Sequence, residues 1–547
     1  MSERGRLLRA AIALAVLLVL MRVPALLTPV TKVDEALYAA SAARSVALGD
    51  PLPYRASWQD KGPVILWIYM AVFALFGNFD MFALHLAALL IVGLGAFAAY
   101  RIGCAASSSS GGLWAAFLYI VGMNTGNAIP FNSETPAVVA GLWALAILIR
   151  LREPGRREML AALAAGALGG VAFFTRQNFL ALLLGLPVCA ALLVWQRGGR
   201  PAEILKLALV TAGGFLLPCA LIVGVFAAAG EFPLFYENFW GLNQIYVGVV
   251  QMSVQRYLGI PNEIMRMFLR TAQTPVLLGL LGIGLLLAVP LGRGIFEGRQ
   301  RIVAALTALL AVGFTLAGVP GYRFFNHYFV MAVPFWAVLA GATVGTLQGL
   351  LKVPGLAGAA RFAIVAGCCF DLSGTPFFET WLDTLRFARY GGLQNRSLVE
   401  KGLGLNDDVS RISKTVRNLS RPNDTMFVWG FAPFFHVQTG LIPATRIGNG
   451  CYLSGLVPWE NVSPEIDTKR WEVPGAWDAA MADLHANRPV FLIDSSRHFL
   501  FASGKYPMSR YPRLEELVKN DYTLVRSEGA HDLWVRKDRA PADASFD

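Results

Sequence analysis

Long apolar runs fill the first two-thirds of this 547-residue chain and restrict what it can fold into. A membrane-spanning helix needs about 20 mostly apolar residues, with a range of about 17–25. With 55% hydrophobic and 15% charged residues, the chain is neither a purely soluble protein nor a disordered one. We predict eleven spans, at residues 8–29, 81–100, 111–130, 134–149, 159–175, 179–195, 205–229, 274–291, 302–319, 327–349 and 362–378. The first run lacks a clear cleavage site, which favours a retained span over a signal peptide.

The apolar run at residues 63–77 decides the orientation, because its 15 residues suit a juxtamembrane segment as well as a span. If it does not cross, the loops on the N-terminal side hold 16 basic and five acidic residues, a difference of +11. Loops rich in Lys and Arg stay in the cytoplasm. We therefore predict a cytoplasmic N-terminus and a C-terminal half outside, as in a multi-pass protein of the bacterial inner membrane.

The net charge of +11 is a topology signal and not a nucleic-acid footprint. Residues 372–547 carry 21 basic and 21 acidic groups, so the whole excess lies in the membrane half. From residue 379 the composition is that of a soluble protein, with strands at 425–430 and 489–496 and helices at 477–487 and 511–520. Strands alternating with helices predict an α/β layer. The expected organisation is a transmembrane domain at residues 1–378 and a periplasmic α/β domain at 379–547, with two further strands around a turn near Gly529.

Ionisable residues flank the first outer loop, residues 30–62. Asp34 and Glu35 follow the first span directly, and Asp60 and Lys61 return to the membrane surface at the end of the loop. Charged groups at the bilayer edge that face a bundle interior are costly to dehydrate, which favours a functional role. The alternative is anchoring at the headgroup level, where Lys, Tyr and Trp are common.

The pattern VDEALYA, followed after about 25 residues by WQDKGPVILWIYMAVFALFG, resembles the GT-C glycosyltransferases. It is most similar to the bacterial branch with protein O-mannosyltransferase-like enzymes and the lipid A aminoarabinose transferase. Those enzymes have an acidic D-E-x-x-Y motif after the first span and a Lys-Pro or Lys-Gly-Pro motif before a juxtamembrane helix. Residues 323–341 and 428–447 resemble a late span and the exported domain of this branch more weakly.

The resemblance implies a polyprenyl-phosphate sugar as donor and transfer outside the membrane. Asp34 matches the family's catalytic acid, the general base that takes a proton from the acceptor hydroxyl. Glu35 matches the adjacent acid, with a role in binding the acceptor or in orienting Asp34. Lys61 matches the lysine that holds the donor phosphate as a compact point charge. Tyr38, one helical turn past Asp34 if the loop is helical, and Asp60 would line the same cleft as substrate-binding residues.

Further candidates lie on other outer segments, each with a structural alternative. Glu134, at the outer end of a span, binds the acceptor or a metal, or is a helix N-terminal Glu with Ser133 as its cap. Arg176 lies between two spans on the outer side, where anchoring is the stronger reading. Loop 230–273 could fold over the lipid donor with Arg270 on its phosphate, the alternative being an amphipathic surface helix.

The segment that opens the tenth predicted span carries a basic pair. Arg323 and His327 suit a donor phosphate, and the adjacent Tyr328 suits substrate binding, although a structural histidine is an equally open reading. No Walker A, GxSxG or HExxH sequence is present, and the six cysteines form no CxxC pair or zinc spacing. No cofactor is certain, and a divalent metal held by the outer acids stays open.

We therefore predict a polytopic α-helical membrane protein of the GT-C fold with about eleven spans and a C-terminal periplasmic α/β domain. Its function would be transfer of a hexosyl or pentosyl group from a polyprenyl-phosphate donor to an envelope acceptor, which is lipid A or lipopolysaccharide, a polysaccharide or a protein. The expected partners are the lipid donor, membrane lipid and the acceptor, with no nucleic acid. The alternatives are a lipid or polysaccharide transporter, which would favour repeats and broken helices, and an inactive accessory subunit.

Overall fold

The computed structural model describes two compact units, built from alternating segments of the chain. The helical unit comprises residues 1–26, 85–228 and 252–382, and the sheet unit comprises 27–84, 229–251 and 383–547. Within these, the structure describes residues 3–27, 32–124, 128–151, 155–250, 253–288, 296, 298–350, 354–373, 378, 381, 382, 385, 407–463 and 465–541.

Apolar helices long enough to cross a bilayer make up most of the helical unit. Eight helices of the described residues satisfy the length and composition of a span, and three more predicted spans are apolar helices of 14 or 15 residues. Every predicted span thus contains a helix, although α6, in the third predicted span, ends at Gly122, eight residues earlier than expected. The helices are α1 Glu3–Leu26, α5 Met81–Ala106, α6 Ser109–Gly122, α7 Glu134–Leu148, α8 Arg156–Thr175, α9 Leu182–Gln196, α10 Pro201–Ala228, α13 Val254–Thr271, α14 Gln273–Leu287, α15 Gly298–Ala317, α16 Asn326–Phe329, α17 Val333–Leu350 and α18 Pro354–Ser373.

Small residues let the helices of this unit approach each other closely. A Cβ atom added to Gly166 would lie 2.0 Å from the carbonyl oxygen of Thr211, and one added to Gly341 would lie 2.2 Å from the backbone nitrogen of Ala115. Close backbone approach through glycine is typical of helix packing in membranes. The pairs α8–α10 and α6–α17 are therefore fixed by shape.

The sheet unit combines the first loop, the C-terminal region and residues 229–251, which contain the start of loop 230–273, the second loop. The first loop forms α2, α3 and α4, and the second forms α11, a π-helical turn and α12. Five further helices, α19 to α23, alternate with the strands of the C-terminal region. The bounds are α2 Val33–Ala47, α3 Pro53–Ala56, α4 Pro63–Phe76, α11 Phe232–Tyr236, the turn Glu237–Gly241, α12 Leu242–Gly248, α19 Asp407–Leu419, α20 Phe434–Thr439, α21 Cys451–Ser454, α22 Ala476–Asn487 and α23 Pro512–Asp521.

A five-stranded mixed sheet, in the order β2-β1-β3-β5-β4, forms the core of the C-terminal region. Strands β1 and β3 are parallel, with Phe427 opposite Leu492, and β3 and β5 are antiparallel, with Ile493 opposite Leu533. Most of their apolar side chains are almost fully buried, as expected for strands covered on both faces. The strands and helices predicted for this region are confirmed, with β1 Thr425–Trp429, β2 Ile442–Pro443, β3 Phe491–Asp494, β4 Tyr522–Glu528 and β5 His531–Arg536.

Helix α4 is formed by the apolar run at residues 63–77, which the sequence predicted as either a juxtamembrane segment or a span. It has 14 residues, about 21 Å at 1.5 Å per residue, which is short for a bilayer core of about 30 Å. Its buried face, which includes Ile65, Tyr69 and Phe73, packs against α2 inside the sheet unit. This packing favours the juxtamembrane interpretation, while the orientation of the chain and the domain boundary after residue 378 stay predictions.

Candidate functional site

Helix α2 carries three of the predicted site residues within its first two turns. It begins at Val33, so Asp34 and Glu35 lie in the first turn, where negative charge is favourable for the helix dipole. Asp34 is partly exposed, whereas Glu35 and Tyr38 are buried, at 0% and 2% exposure. Of the two neighbouring acids, therefore, only Asp34 presents surface to a substrate.

Tyr69 of α4 faces these residues and was not identified from the sequence. Its ring meets that of Tyr38 edge-on, with centroids 5.9 Å apart. Burial raises the pKa of the Tyr69 phenol well above its usual value, and the nearby Glu35, Tyr38 and Asp34 raise it further. Tyr69 therefore stays a neutral hydroxyl beside the two acids. Its signal in the sequence is a single tyrosine on the buried face of an otherwise apolar helix.

The loop from Ser57 to Lys61 is tied to α2 at Ser41. The hydroxyl of Ser57 donates to the Ser41 hydroxyl at 2.9 Å, and the side-chain nitrogen Nε2 of Gln59 donates to it at 2.7 Å. Ser41 lies seven residues after Asp34, which is two helical turns. The segment that ends at Lys61 is thus joined to α2 by buried hydrogen bonds.

The backbone on either side of Asp60 is held by residues of the sheet unit that are distant in sequence. The backbone N–H of Gln59 donates to the Asn238 side-chain oxygen at 2.8 Å, and the Asn243 side chain donates to the carbonyl of Asp60 at 2.7 Å. The Tyr54 hydroxyl donates to the carbonyl of Lys61 at 2.6 Å. These neutral bonds fix the main chain of the loop.

The side chains of Asp60 and Lys61 form an ion pair, and each is about one-fifth exposed. A phosphate oxygen could reach a lysine at such a surface, sharing the ammonium with Asp60. The carboxylate also acts on a neighbouring tyrosine, because burial and the charge of Asp60 raise the pKa of Tyr54 well above its usual value.

A buried ionic group fixes the far end of α2. Arg44, 6% exposed, donates to the carbonyls of Ala56 and Pro443 at 2.7 and 2.6 Å and lies 3.6 Å from Asp483. Burial alone would raise the pKa of Asp483, but hydrogen bonds and charge from Arg446, with the charge of Arg44, lower it below its usual value. The C-terminal region therefore packs directly on the helix that carries Asp34.

In the helical unit, Glu134 and Arg176 form a buried ion pair. Their charged atoms are 2.9 Å apart, and the two side chains are 3% and 6% exposed. Glu134 begins α7 directly after Ser133, as the structural alternative has it, but the Ser133 hydroxyl makes no capping hydrogen bond. Instead it accepts a hydrogen bond from Arg176 at 3.1 Å. The partner of Glu134 could not be read from the sequence, because it lies 42 residues further along.

Aromatic residues of α16 continue this group, which we call the Arg176 cluster: Glu134, Arg176, His327 and Tyr328. The Arg176 guanidinium lies over the Tyr328 ring at 5.2 Å from its centre, a cation–π distance. The rings of His327 and Tyr328 meet edge-on at 4.5 Å. The structure thus joins four of the candidates predicted separately. Arg323, which is partly buried, precedes α16, and the side chain of Arg270 lies outside the described residues.

Arg22, near the end of α1, was also missed by the sequence analysis. Its guanidinium is 2% exposed and donates to the carbonyls of Met123, Ala128 and Ile129, at 2.6, 3.1 and 2.6 Å. Three carbonyls satisfy a charge that would otherwise be costly to bury. Arg22 therefore holds the connection that leads into α7 and the Arg176 cluster.

Among the residues that the structure describes, no three His, Cys, Asp or Glu side chains group in a way that could hold a metal ion. The two acids of α2 and Glu134 belong to different units, each of which is described by itself. A divalent metal therefore stays a prediction with no assigned ligand set.

The known proteins that resemble this chain agree with its architecture. Residues 60–225 match the family model of dolichyl-phosphate-mannose-protein mannosyltransferase, a segment that begins at Asp60 and includes Lys61, Glu134 and Arg176. ArnT from Cupriavidus metallidurans bound to undecaprenyl phosphate is similar with a TM-score of 0.58 and 16% identity over 100% of both chains. No curated protein sequence matches the chain.

Two other solved structures show the same arrangement. ArnT from Cupriavidus metallidurans in the apo state has a TM-score of 0.56 and 15% identity, over 97% of this chain and 98% of that one. The oligosaccharyltransferase AglB from Archaeoglobus fulgidus, in complex with an inhibitory peptide and a dolichol-phosphate, has a TM-score of 0.51 and 12% identity, over 99% and 75%. The resemblance inferred from the outer-loop motifs is confirmed as a similarity, and the chain has the fold of these solved membrane proteins.

Proposed function

We propose that this protein is a membrane glycosyltransferase that moves one sugar from a polyprenyl-phosphate donor to an envelope acceptor at the outer face of the bacterial inner membrane. The observation that carries the proposal is the tie between α2, with Asp34 in its first turn, and the loop that presents Lys61. The match of residues 60–225 to a mannosyltransferase family and the fold of ArnT bound to undecaprenyl phosphate support it.

Asp34 is the general base in this proposal. The acceptor oxygen attacks the anomeric carbon, and the bond between that carbon and the phosphate oxygen breaks, so the electron pair leaves with the polyprenyl phosphate. The acceptor proton passes to the Asp34 carboxylate, which has the exposed surface that this step needs. Glu35 and Tyr69 are buried beside it, and their burial supports positioning of Asp34 over direct contact with the acceptor.

Lys61 is the group that receives the charge of the departing phosphate. Its ammonium is paired with Asp60 and stays partly exposed, and the backbone around it is fixed by Tyr54 and Asn243. A preorganised positive group that needs no rearrangement during the reaction is an efficient stabiliser of developing negative charge. Tyr38 and Asp60 complete the proposed substrate contacts on this side.

Arg323, His327 and Arg270 are the proposed further contacts of the donor phosphate, and Tyr328 is the proposed contact of a sugar or acceptor. Support for this group is the convergence of Tyr328, His327 and Glu134 around Arg176. The ion pair with Arg176 already neutralises Glu134, which favours a structural contribution from that residue. The sugar and the acceptor, whether lipid A or lipopolysaccharide, polysaccharide or protein, are not specified by these contacts.

A donor-saturation experiment tests the role of Lys61. The whole protein is reconstituted in vesicles, and transfer of radiolabelled sugar from synthetic polyprenyl-phosphate sugars into lipid, polymer or protein fractions of the envelope is measured. Because a charged hydrogen bond contributes about 1.5–3 kcal/mol, Lys61→Ala should raise the KM for donor about ten- to hundredfold. The control is Lys414→Ala on an exposed face of α19. An unchanged donor KM would remove Lys61 from phosphate binding, and transfer to none of the fractions would contradict the proposed activity.

A further inference from the structure

Helix α13, Val254–Thr271, has apolar side chains over one half of its circumference and polar ones over the other. Val254, Tyr257, Leu258, Pro261 and Met265 recur at intervals of three or four residues, which places them in one stripe along the helix. All five are exposed, with Leu258 at 77% and Val254 at 75%. This row, which we call the α13 stripe, is an apolar surface that the described residues of the helical unit leave exposed.

The other part of the apolar half is already buried. Ile260 and Ile264 pack against the core of the helical unit, and Met267 is 3% exposed. The helix therefore meets three environments around its axis. One edge of the apolar half contacts protein, the α13 stripe faces outward, and the polar half lies opposite.

The polar half has the composition of a surface in contact with water or headgroups. Gln255, Asn262 and Arg266 are exposed there, and Arg266 forms an ion pair with Glu263. A helix immersed in lipid would be apolar all round, and a helix on a water-facing surface would not leave five apolar side chains in one outward row. A helix that lies in the plane of a membrane interface has this division.

The chain on both sides of α13 is consistent with that position. Only Ala272 separates α13 from α14, a strongly apolar helix that is one of the predicted spans. Tyr257 lies edge-on to Tyr322, with ring centroids 5.8 Å apart. Tyrosines are enriched at the level of the headgroups. On the adjacent helix α14, Leu277 is 58% exposed, so apolar side chains are exposed on both sides of Ala272.

We infer that α13 is an interfacial helix whose stripe inserts into the phospholipid leaflet at which α14 enters the membrane. The partner is the boundary between acyl chains and headgroups, with the polar half turned to water. Because α13 packs against α16, this contact fixes the depth of His327 and Tyr328 and brings the Arg176 cluster to the headgroup level. The inference does not depend on transferase activity.

Site-directed spin labelling of the whole protein in vesicles of phosphatidylcholine and phosphatidylglycerol tests this inference. In a background without native cysteines, nitroxides are placed singly at Leu258 and Met265 of the stripe, and at Gln255 and Asn262 of the polar half. Oxygen, which concentrates among acyl chains, and a water-soluble nickel chelate are then used as relaxation agents. Leu277 of α14 is the control for a site inside the membrane.

Labels at 258 and 265 should favour oxygen and lie about 5–10 Å below the headgroup boundary, while labels at 255 and 262 should favour the nickel chelate. Access of nickel to all four positions would overturn the inference, because the helix would then lie in water. Protection of 258 and 265 from both agents would also overturn it, since a second copy or another protein would cover the stripe. Each labelled protein should elute like wild type in size-exclusion chromatography, which excludes misfolded variants. If one of the two stripe variants misfolds, the result at the other stripe position is sufficient for the test.

Discussion

Two acids stand in the first turn of a helix in this molecule, and their surroundings are opposite. Glu134 of α7 is buried against Arg176 at 2.9 Å, in the helical unit. Asp34 of α2 is partly exposed beside Tyr38 and Tyr69, in the sheet unit. A carboxylate that is enclosed and neutralised cannot easily take a proton from a substrate, whereas an exposed one at a helix start can. The same position in a helix is therefore enclosed in one unit and partly exposed in the other, which fits the proposed role of Asp34 as the base.

The largest effect is expected from separating the buried ion pair. Arg176→Ala leaves the Glu134 carboxylate buried without its partner, which should cost about 3–5 kcal/mol in the free energy of unfolding. Thermal unfolding and unfolding in sodium dodecyl sulfate measure this loss in purified protein. The double variant Glu134→Gln with Arg176→Gln should recover most of it, because no uncompensated charge remains. If Arg176→Ala unfolds like wild type, Glu134 is not held by this pair and the contrast with Asp34 disappears.

The second-largest effect is expected at low pH, where the packing of α20 against α2 should become less stable. His436 lies on α20, which packs against α2, and burial lowers its pKa to about 4, with a further decrease from Arg44. Because the folded pKa is below the unfolded value of about 6.5, this stability is complete above pH 6.5 and is lost as the pH falls towards 4. A shift of about 2.5 pKa units corresponds to roughly 3 kcal/mol.

Hydrogen exchange of α2 and α20 at pH 7 and pH 4.5, corrected for the intrinsic exchange rate at each pH, measures this effect as a loss of protection. His436→Asn should reduce the loss of protection at low pH, while His485→Asn, at an exposed position of α22, should leave it unchanged. Equal acid sensitivity in wild type and His436→Asn would show that another group controls the support of α2.

A smaller change should follow from removing one neutral bond of the Lys61 loop. Asn243→Ala loses the hydrogen bond to the carbonyl of Asp60, which is worth about 1 kcal/mol. We expect a donor KM raised about fivefold, with little change in the unfolding temperature. Asn262→Ala, at an exposed position of α13, is the matched control. If kcat falls and the donor KM does not change, the loop positions the reacting groups instead of binding the phosphate.

The sequence predicted the fold class and the helices well because apolar length and period are local properties of the chain. Residues 425–429 and 491–494 were equally clear as buried strands. Partners across long separations were not predictable. Nothing local in Asn243 indicates that it binds Asp60, and Tyr69 is indistinguishable by type from a tyrosine that faces lipid. The Asp34 and Lys61 motifs were recognised through resemblance, and only the structure connects their segments at Ser41.

The most direct test of the account compares Asp34→Asn with Glu134→Gln in the same preparation, measuring both kcat and the free energy of unfolding. Asp34→Asn should lower kcat by about 10²-fold or more, as expected for loss of a general base, and change stability by no more than about 0.5 kcal/mol. Glu134→Gln should show the reverse, with reduced stability and nearly normal kcat per folded molecule. Full turnover by Asp34→Asn, or a loss that merely follows its unfolding, would contradict the account.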